Sequence, residues 1–241
     1  MRNVVVTGGS RGLGLAICEQ LARSGYRAIA IARKETPELA AAVAAAPEGS
    51  IHFVPFDLGE VEAMPRLVKD IRKQHGGIYG LVNNAGIGTE GLLAVMPLSE
   101  IEQLIRINTL SPIALTRQVI RSMLSEGEGR IVNMSSIIAT TGYYALSVYA
   151  ATKASLTGFT KSLAREVGRA GITVNAVAPG FIETSLTEGL SDEKRQQIAR
   201  RSALHRLAEA GDVARTVEFL MGDGGRNITG TVITVDAGNT A

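Results

Sequence analysis

Residues 4–25 carry a pattern that few folds accept: a β-branched apolar run, a glycine-rich turn and an amphipathic helix in direct succession. Val4, Val5 and Val6 read as a buried strand. Thr7-Gly8-Gly9-Ser10-Arg11-Gly12-Leu13-Gly14 follows, and Leu13, Ile17 and Leu21 then recur at one-turn spacing until Gly25 stops the helix. Glycines at such a junction have a physical use. Gly8, Gly12 and Gly14 permit the tight turn, the close approach of main chain to a ligand, and the close packing of helix on strand. The first N–H groups of the helix lack internal partners, which suits a pyrophosphate. The spacing is Gly-x3-Gly-x-Gly rather than the Gly-x-Gly-x2-Gly of the dinucleotide fingerprint, but the strand–turn–helix setting gives it the same meaning.

The rest of the chain repeats the rhythm. Apolar strands are expected at 28–33, 51–58, 79–84, 129–133, 172–180 and 231–235. Helices are expected at 36–49, 60–74, 99–124, from Tyr149 to about 167, and at 214–221. A capping box, Ser99 with Glu102, is expected to open the third of these. Alternation of this kind implies parallel strands joined by right-handed crossovers, and no linker-like shift divides the 241 residues, so one domain is read. Ligands of such sheets bind beyond the carboxyl ends of the strands. Gly8 to Gly14, Arg33, Asp57, Asn83 to Gly86 and Ser136 all fall there.

Within that crevice the residue types suggest chemistry. The second strand ends in Ala32-Arg33-Lys34, where an acid would suit a free ribose 2′-hydroxyl. A cation suits a 2′-phosphate instead, and Arg11 is placed to share it, so NADP is the expected cofactor, with Glu35 the residue that argues against it. Asp57 can accept from the adenine amino group. Tyr149 and Lys153 stand one helical turn apart, so both leave the same face. An ammonium beside a phenol favours the phenolate and is expected to lower the Tyr149 pKa, while Ser136 offers a second hydrogen bond to the same substrate oxygen. Asn108 falls inside a predicted helix, where its amide competes with the backbone.

Composition narrows the alternatives. With 25 basic and 23 acidic residues, no tryptophan and 4% aromatics, nothing supports nucleic-acid binding. One cysteine, Cys18, excludes an internal disulfide and a Cys-based metal cluster, and no metal site is expected. No apolar signal core opens the chain and no eighteen-residue apolar stretch follows, so a soluble, cytoplasmic protein that does not bind membranes is expected.

Six motifs together resemble the short-chain dehydrogenase/reductase family: Thr7-Gly8-x3-Gly12-x-Gly14, Asn83-Asn84-Ala85-Gly86, Asn108, Ser136, Tyr149-x3-Lys153 and Pro179-Gly180-x-Ile182-x-Thr184. The resemblance spans essentially the whole chain. It implies an α/β, Rossmann-type, doubly wound parallel seven-stranded sheet with a substrate-covering loop at about 181–210. It also implies roles: Tyr149 as general acid, Ser136 polarising the carbonyl, Lys153 lowering the Tyr149 pKa and binding the nicotinamide ribose, and Asn108 holding a water linked to Lys153. The implied cofactor contacts are Thr7, Gly8, Ser10, Arg11, Gly12, Leu13, Gly14, Arg33, Asp57, Leu58, Asn84, Ala85, Gly86, Tyr149, Lys153, Pro179, Gly180, Ile182 and Thr184. Within the family the chain looks most like the 3-oxoacyl-(acyl-carrier-protein) reductases of fatty acid biosynthesis. That implies a small-molecule or carrier-linked acyl substrate, a basic rim for an acyl carrier protein with Arg130 as one expected member and Arg169 one place from another, and a homotetramer packed through the helices bearing Asn108 and Tyr149. Two other readings stay open: the same mechanism on a sugar, quinone, polyketide-like ketone or secondary alcohol, and a non-catalytic dinucleotide-binding regulator.

Overall fold

Strand β1 (Asn3–Thr7) sends its valines to opposite sides of one sheet. Val4 and Val6 join one core, Val5 the other, and all three are fully buried. Burial on both faces is why the run is continuously β-branched rather than alternating with polar residues. The structure is a computed structural model that describes residues 1–182 and 192–241. Among these, β2 (Arg27–Ala32), β3 (Ile51–Pro55), β4 (Ile78–Asn83), β5 (Gly129–Met134), β6 (Ile172–Pro179) and β7 (Val232–Val235) complete a seven-stranded sheet in the order β3-β2-β1-β4-β5-β6-β7. Every pairing is parallel. The expected doubly wound architecture is therefore present, and the direction of winding reverses at β1, which opens a crevice at the carboxyl ends of β1 and β4.

Helices α1 (Gly12–Arg23), α2 (Pro37–Ala45) and α9 (Ala210–Met221) cover one face through Ile17, Leu21, Leu39, Val213 and Val217. Helices α3 (Met64–His75), α5 (Ser111–Glu126) and α7 (Ser147–Val167) cover the other through Leu67, Ile71, Leu115, Val119 and Leu163. Fully burying side chains of this size contributes roughly 1.5–3 kcal/mol each, which makes these two layers the main source of stability. The short helices α6 (Ile138–Thr141) and α8 (Asp192–Arg201) lie in the connections, and α4 (Leu98–Ile105) leads directly toward α5.

Two local expectations are corrected. The Ser99–Glu102 capping box does not form, because Pro97 takes the cap position with φ fixed at −59° and the helix starts at Leu98 without a side-chain cap. The capping box among the described helices sits instead at α9, between Glu209 and Asp212. The long helix expected over 99–124 is present as an unbroken run over 98–126, but it is not α-helical throughout. Between α4 and α5 the segment Arg106–Leu110 widens into a π-helical turn, and Asn108 lies in its middle, fully buried.

Candidate active site

The glycine turn is held by side chains from neighbouring strands. The Thr7 hydroxyl accepts from the Asn84 and Ala85 main-chain N–H groups, both at 3.0 Å, and donates to the Val82 carbonyl. Asn84 in turn donates its side-chain amide to the Thr7 carbonyl at 2.9 Å. Asn84 therefore braces the turn with its side-chain amide. Gly8 has φ +67°, and a Cβ on Gly14 would sit 2.1 Å from the Gly8 carbonyl oxygen. No side chain fits there. Helix α1 starts at Gly12 with Arg11 as N-cap and no side-chain cap, leaving its first N–H groups available. This cradle, closed to any Cβ and rimmed by free N–H groups, fits a pyrophosphate.

Ser10 is tied by its carbonyl, which accepts from Thr36 Oγ1 at 2.6 Å, and the same hydroxyl caps α2 through Leu39 N. Thr36 was not among the candidates; its signal was a threonine followed by proline, an ordinary helix start. Arg33 is exposed just past β2, with no acid paired to it among the described residues. Arg11 lies near enough to Glu38 to help hold that carboxyl below its usual range, after the larger contributions of the backbone and Thr36 hydrogen bonds. Asp57, exposed past β3, accepts from Gly59 N at 2.8 Å, and the Leu58 carbonyl accepts from Ser111 Oγ.

At the centre of the crevice, β5 delivers Ser135 and Ser136 and is stapled to β6 by Ser135 N donating to Val177 O and Ile137 N to Pro179 O. The Ser136 hydroxyl accepts from Ile138 N at 3.2 Å, which leaves its own proton free to donate. Tyr149 is partly buried. Burial raises its phenol above the ordinary value, and a hydrogen bond with Ser136 pulls it back down. Lys153 is fully buried, and burial pushes it down to about 8. Its ammonium donates to the Met134 carbonyl at 2.8 Å and lies 5.7 Å from the centre of the Tyr149 ring. The expectation that Lys153 lowers the Tyr149 pKa is thus corrected for this state. The amine is turned to a carbonyl, and desolvation of the phenol is the larger effect.

Asn108 is joined to the same centre. Its Oδ1 accepts from Ile87 N at 2.9 Å, and its Nδ2 donates to Ile87 O at 2.8 Å and to Thr152 Oγ1 at 3.2 Å. A Cβ on Gly86 would lie 3.3 Å from both Asn108 Oδ1 and Lys153 Nζ, so any larger residue would push these groups apart by a few tenths of an ångström. Behind them, Asn83 donates to Thr116 and Asn133, and Asn133 to Thr160, a buried polar ladder that the sequence does not announce.

Past β6, Pro179 and Gly180 turn the chain, with Gly180 N donating to Val235 O and a Cβ at Gly180 excluded by Asp236 at 2.6 Å. Ile182 is buried and pairs with Ala208. Thr184 and part of the covering loop lie outside the described residues. Arg130 is the candidate that the fold removes. It lies at the opposite end of the sheet, nearly buried, stacked over the Tyr79 ring at 5.6 Å and donating to the Gly129 and Gly171 carbonyls. Arg130 therefore does not line the mouth of this crevice, where the basic rim is expected. Cys18 is buried, and burial raises its thiol. No helix among the described residues is long and apolar enough to cross a membrane.

Residues 2–195 match the family model of short chain dehydrogenases. The chain is 39% identical over 234 residues to the 3-oxoacyl-(acyl-carrier-protein) reductase FabG of Escherichia coli, covering 97% of this chain and 95% of that one. It is 37% identical over 240 residues to the FabG of Staphylococcus aureus, covering 98% and 97%. Among solved structures, a gluconate 5-dehydrogenase from Burkholderia cenocepacia in complex with NADP and tartrate matches with a TM-score of 0.92 at 26% identity, covering 99% of this chain and 95% of that one.

Proposed function

Because this chain belongs to the short-chain dehydrogenase family, we propose that it is an NADPH-dependent reductase that converts a 3-oxoacyl thioester, linked to an acyl carrier protein or to coenzyme A, into the 3-hydroxyacyl thioester. Near-full-length similarity to reductases of that name supports the substrate class. The observation that carries the chemistry is the Ser136–Tyr149 pair beside the buried Lys153.

The substrate carbonyl oxygen is taken to lie between Ser136 Oγ and Tyr149 Oη. Ser136 donates a hydrogen bond to it, polarising the carbon toward attack. Bound along the crevice, the reduced nicotinamide dinucleotide supplies the hydride. Tyr149 gives its phenolic proton to the oxygen as the alcohol forms; a phenol, with an ordinary pKa of about 10, carries that proton at neutral pH, the state a reductase needs. The phenolate left behind would keep the Ser136 hydrogen bond, the contact that lowers the Tyr149 pKa, while Lys153, tied to the Met134 carbonyl, would be held for the nicotinamide ribose. Asn108 holds the 86–87 strip against Lys153.

The turn from Thr7 to Gly14, with Ser10 and Leu13, would hold the pyrophosphate. Arg33 and Arg11 would hold the 2′-phosphate, which favours NADP. Asp57, Leu58, Asn84, Ala85 and Gly86 would line the adenosine side. Pro179, Gly180, Ile182 and Thr184 would line the nicotinamide side, and Lys153 the ribose between. The whole chain acts as one catalytic domain in the cytoplasm. Leu98, Ile105, Leu110 and Leu124 are exposed at 43–68% on and beside α4 and α5, which supports a homotetramer closed over those helices. The second reading, another ketone or secondary alcohol, is supported by the gluconate 5-dehydrogenase likeness.

Purified protein mixed with NADPH and acetoacetyl-CoA should consume cofactor absorbance at 340 nm. No turnover of acetoacetyl-CoA alongside turnover of sugar acids would favour the second reading. Cofactor binding with no turnover of any ketone would leave a non-catalytic regulator.

A further inference from the structure

Thr152 stands between Tyr149 and Lys153 on α7 and is 3% exposed. Its hydroxyl donates to the Tyr149 carbonyl at 2.7 Å, an ordinary back-bond for a helical threonine. The same oxygen accepts from Asn108 Nδ2 at 3.2 Å. Asn108 has no other latitude. Its Oδ1 takes the Ile87 N–H, one amide proton goes to the Ile87 carbonyl, and the second goes to Thr152. The Ile87 pair fixes which way round the carboxamide sits, and the Thr152 hydroxyl takes the remaining amide proton of this side chain buried in a π-helical turn. Through Asn108 it reaches the strip at Gly86 and Ile87, which lies against the Lys153 amine.

We propose that Thr152 is a positioning residue. Its hydroxyl joins the turn of α7 that carries the acid to the π-helical turn and to the chain leaving β4, and so sets the spacing of Tyr149, Lys153 and the 86–87 strip. Removing the hydroxyl while keeping the shape, as in Thr152→Val, strands one amide proton of Asn108 in a dry interior. The carboxamide then turns or shifts, and its grip on Ile87 loosens.

The test reads a group that Thr152 does not touch. Amide hydrogen exchange of the cofactor-free protein should speed up at Ile87 by about ten-fold in Thr152→Val and stay within about two-fold of wild type in Thr152→Ser, with the amides of β7 unchanged. If the valine variant does not fold, Thr152→Ala set against Thr152→Ser gives the same comparison. The second readout rests on the reductase reading. With NADPH and acetoacetyl-CoA, kcat should fall about ten-fold in Thr152→Val with KM for NADPH within about two-fold, and serine should restore kcat. Unchanged exchange at Ile87, identical behaviour of valine and serine, or an unchanged kcat in an active enzyme would overturn the proposal. A wild-type protein silent toward acetoacetyl-CoA would count against the functional reading alone, and exchange at Ile87 would still decide this one.

Discussion

The two ends of the sheet hold polar clusters of similar size and opposite character. At the amino end, Arg2 pairs with Glu128 at 2.9 Å and lies 4.3 Å over the Tyr79 ring, Tyr79 stacks on Tyr26 and donates to the Met221 carbonyl, and Arg130 closes over the same ring. Nearby, Asn3 donates to the His75 and Gly77 carbonyls and accepts from Arg27. Most of these groups are matched to one another and to main chain; the Arg130 Nε and His75 Nε2 atoms are buried without a hydrogen-bond partner among the described residues, and neither faces the crevice at the carboxyl end. At the carboxyl end, the Ser136 proton, the Tyr149 phenol and the first N–H groups of α1 are aimed at a crevice. Titratable residues alone do not make a site; bonding capacity left open toward a cavity does.

Four experiments press on that contrast. Tyr149→Phe removes the acid and leaves the crevice shape, so reduction should fall by about a thousand-fold while NADPH affinity stays within a few-fold. Activity near wild type would remove the phenol from the mechanism. Arg33→Asp should move the NADPH-over-NADH preference, measured as kcat/KM, by about 10- to 100-fold toward NADH, the range expected for losing a charge-assisted bond to phosphate. An unmoved ratio would mean that the 2′-phosphate is held elsewhere. At the other end, Arg130→Met should lower stability in urea by about 1–2 kcal/mol through lost carbonyl bonds and ring stacking, with kcat unchanged. A drop in kcat at full stability would give the amino end a functional part.

The smallest effect concerns pH. Burial first, then the neighbouring His52 and Arg27, hold the His75 pKa below its ordinary value. A depressed folded pKa contributes stability that is present above the unfolded value of about 6.5 and lost as pH falls through the folded one. Wild-type Tm should therefore decline between pH 7 and 5 more steeply than that of His75→Gln. Equal slopes would show that the histidine pair is neutral to folding.

The carboxyl-end contrast was partly legible before any coordinates. The valine run, the glycine turn and the spacing of Tyr149 and Lys153 are local patterns, and each keeps its meaning in the fold. What sequence reading missed depends on tertiary contact. Asn108 drew attention as a poor helix former, yet nothing in its neighbours predicts the π-helical turn that buries it. Thr36, Ser111 and Thr152 look like ordinary helix residues, and their hydroxyl bonds to chain 26, 53 and 44 residues away exist only once the layers are packed. The Tyr149 pKa was misjudged because a charge four residues away is visible in sequence and desolvation is not. Arg130 was misplaced for a related reason. Spacing before β5 says nothing of which end of the sheet a side chain serves.

The central claim is that one substrate oxygen is shared by Ser136 and Tyr149. A crystal structure of the protein with NADP and a 3-hydroxyacyl-CoA tests it most directly. The account predicts the 3-hydroxyl oxygen within about 3 Å of both Ser136 Oγ and Tyr149 Oη, the reach of an ordinary hydrogen bond. An oxygen bound by neither hydroxyl, or by Ser136 with Tyr149 turned away, would contradict it.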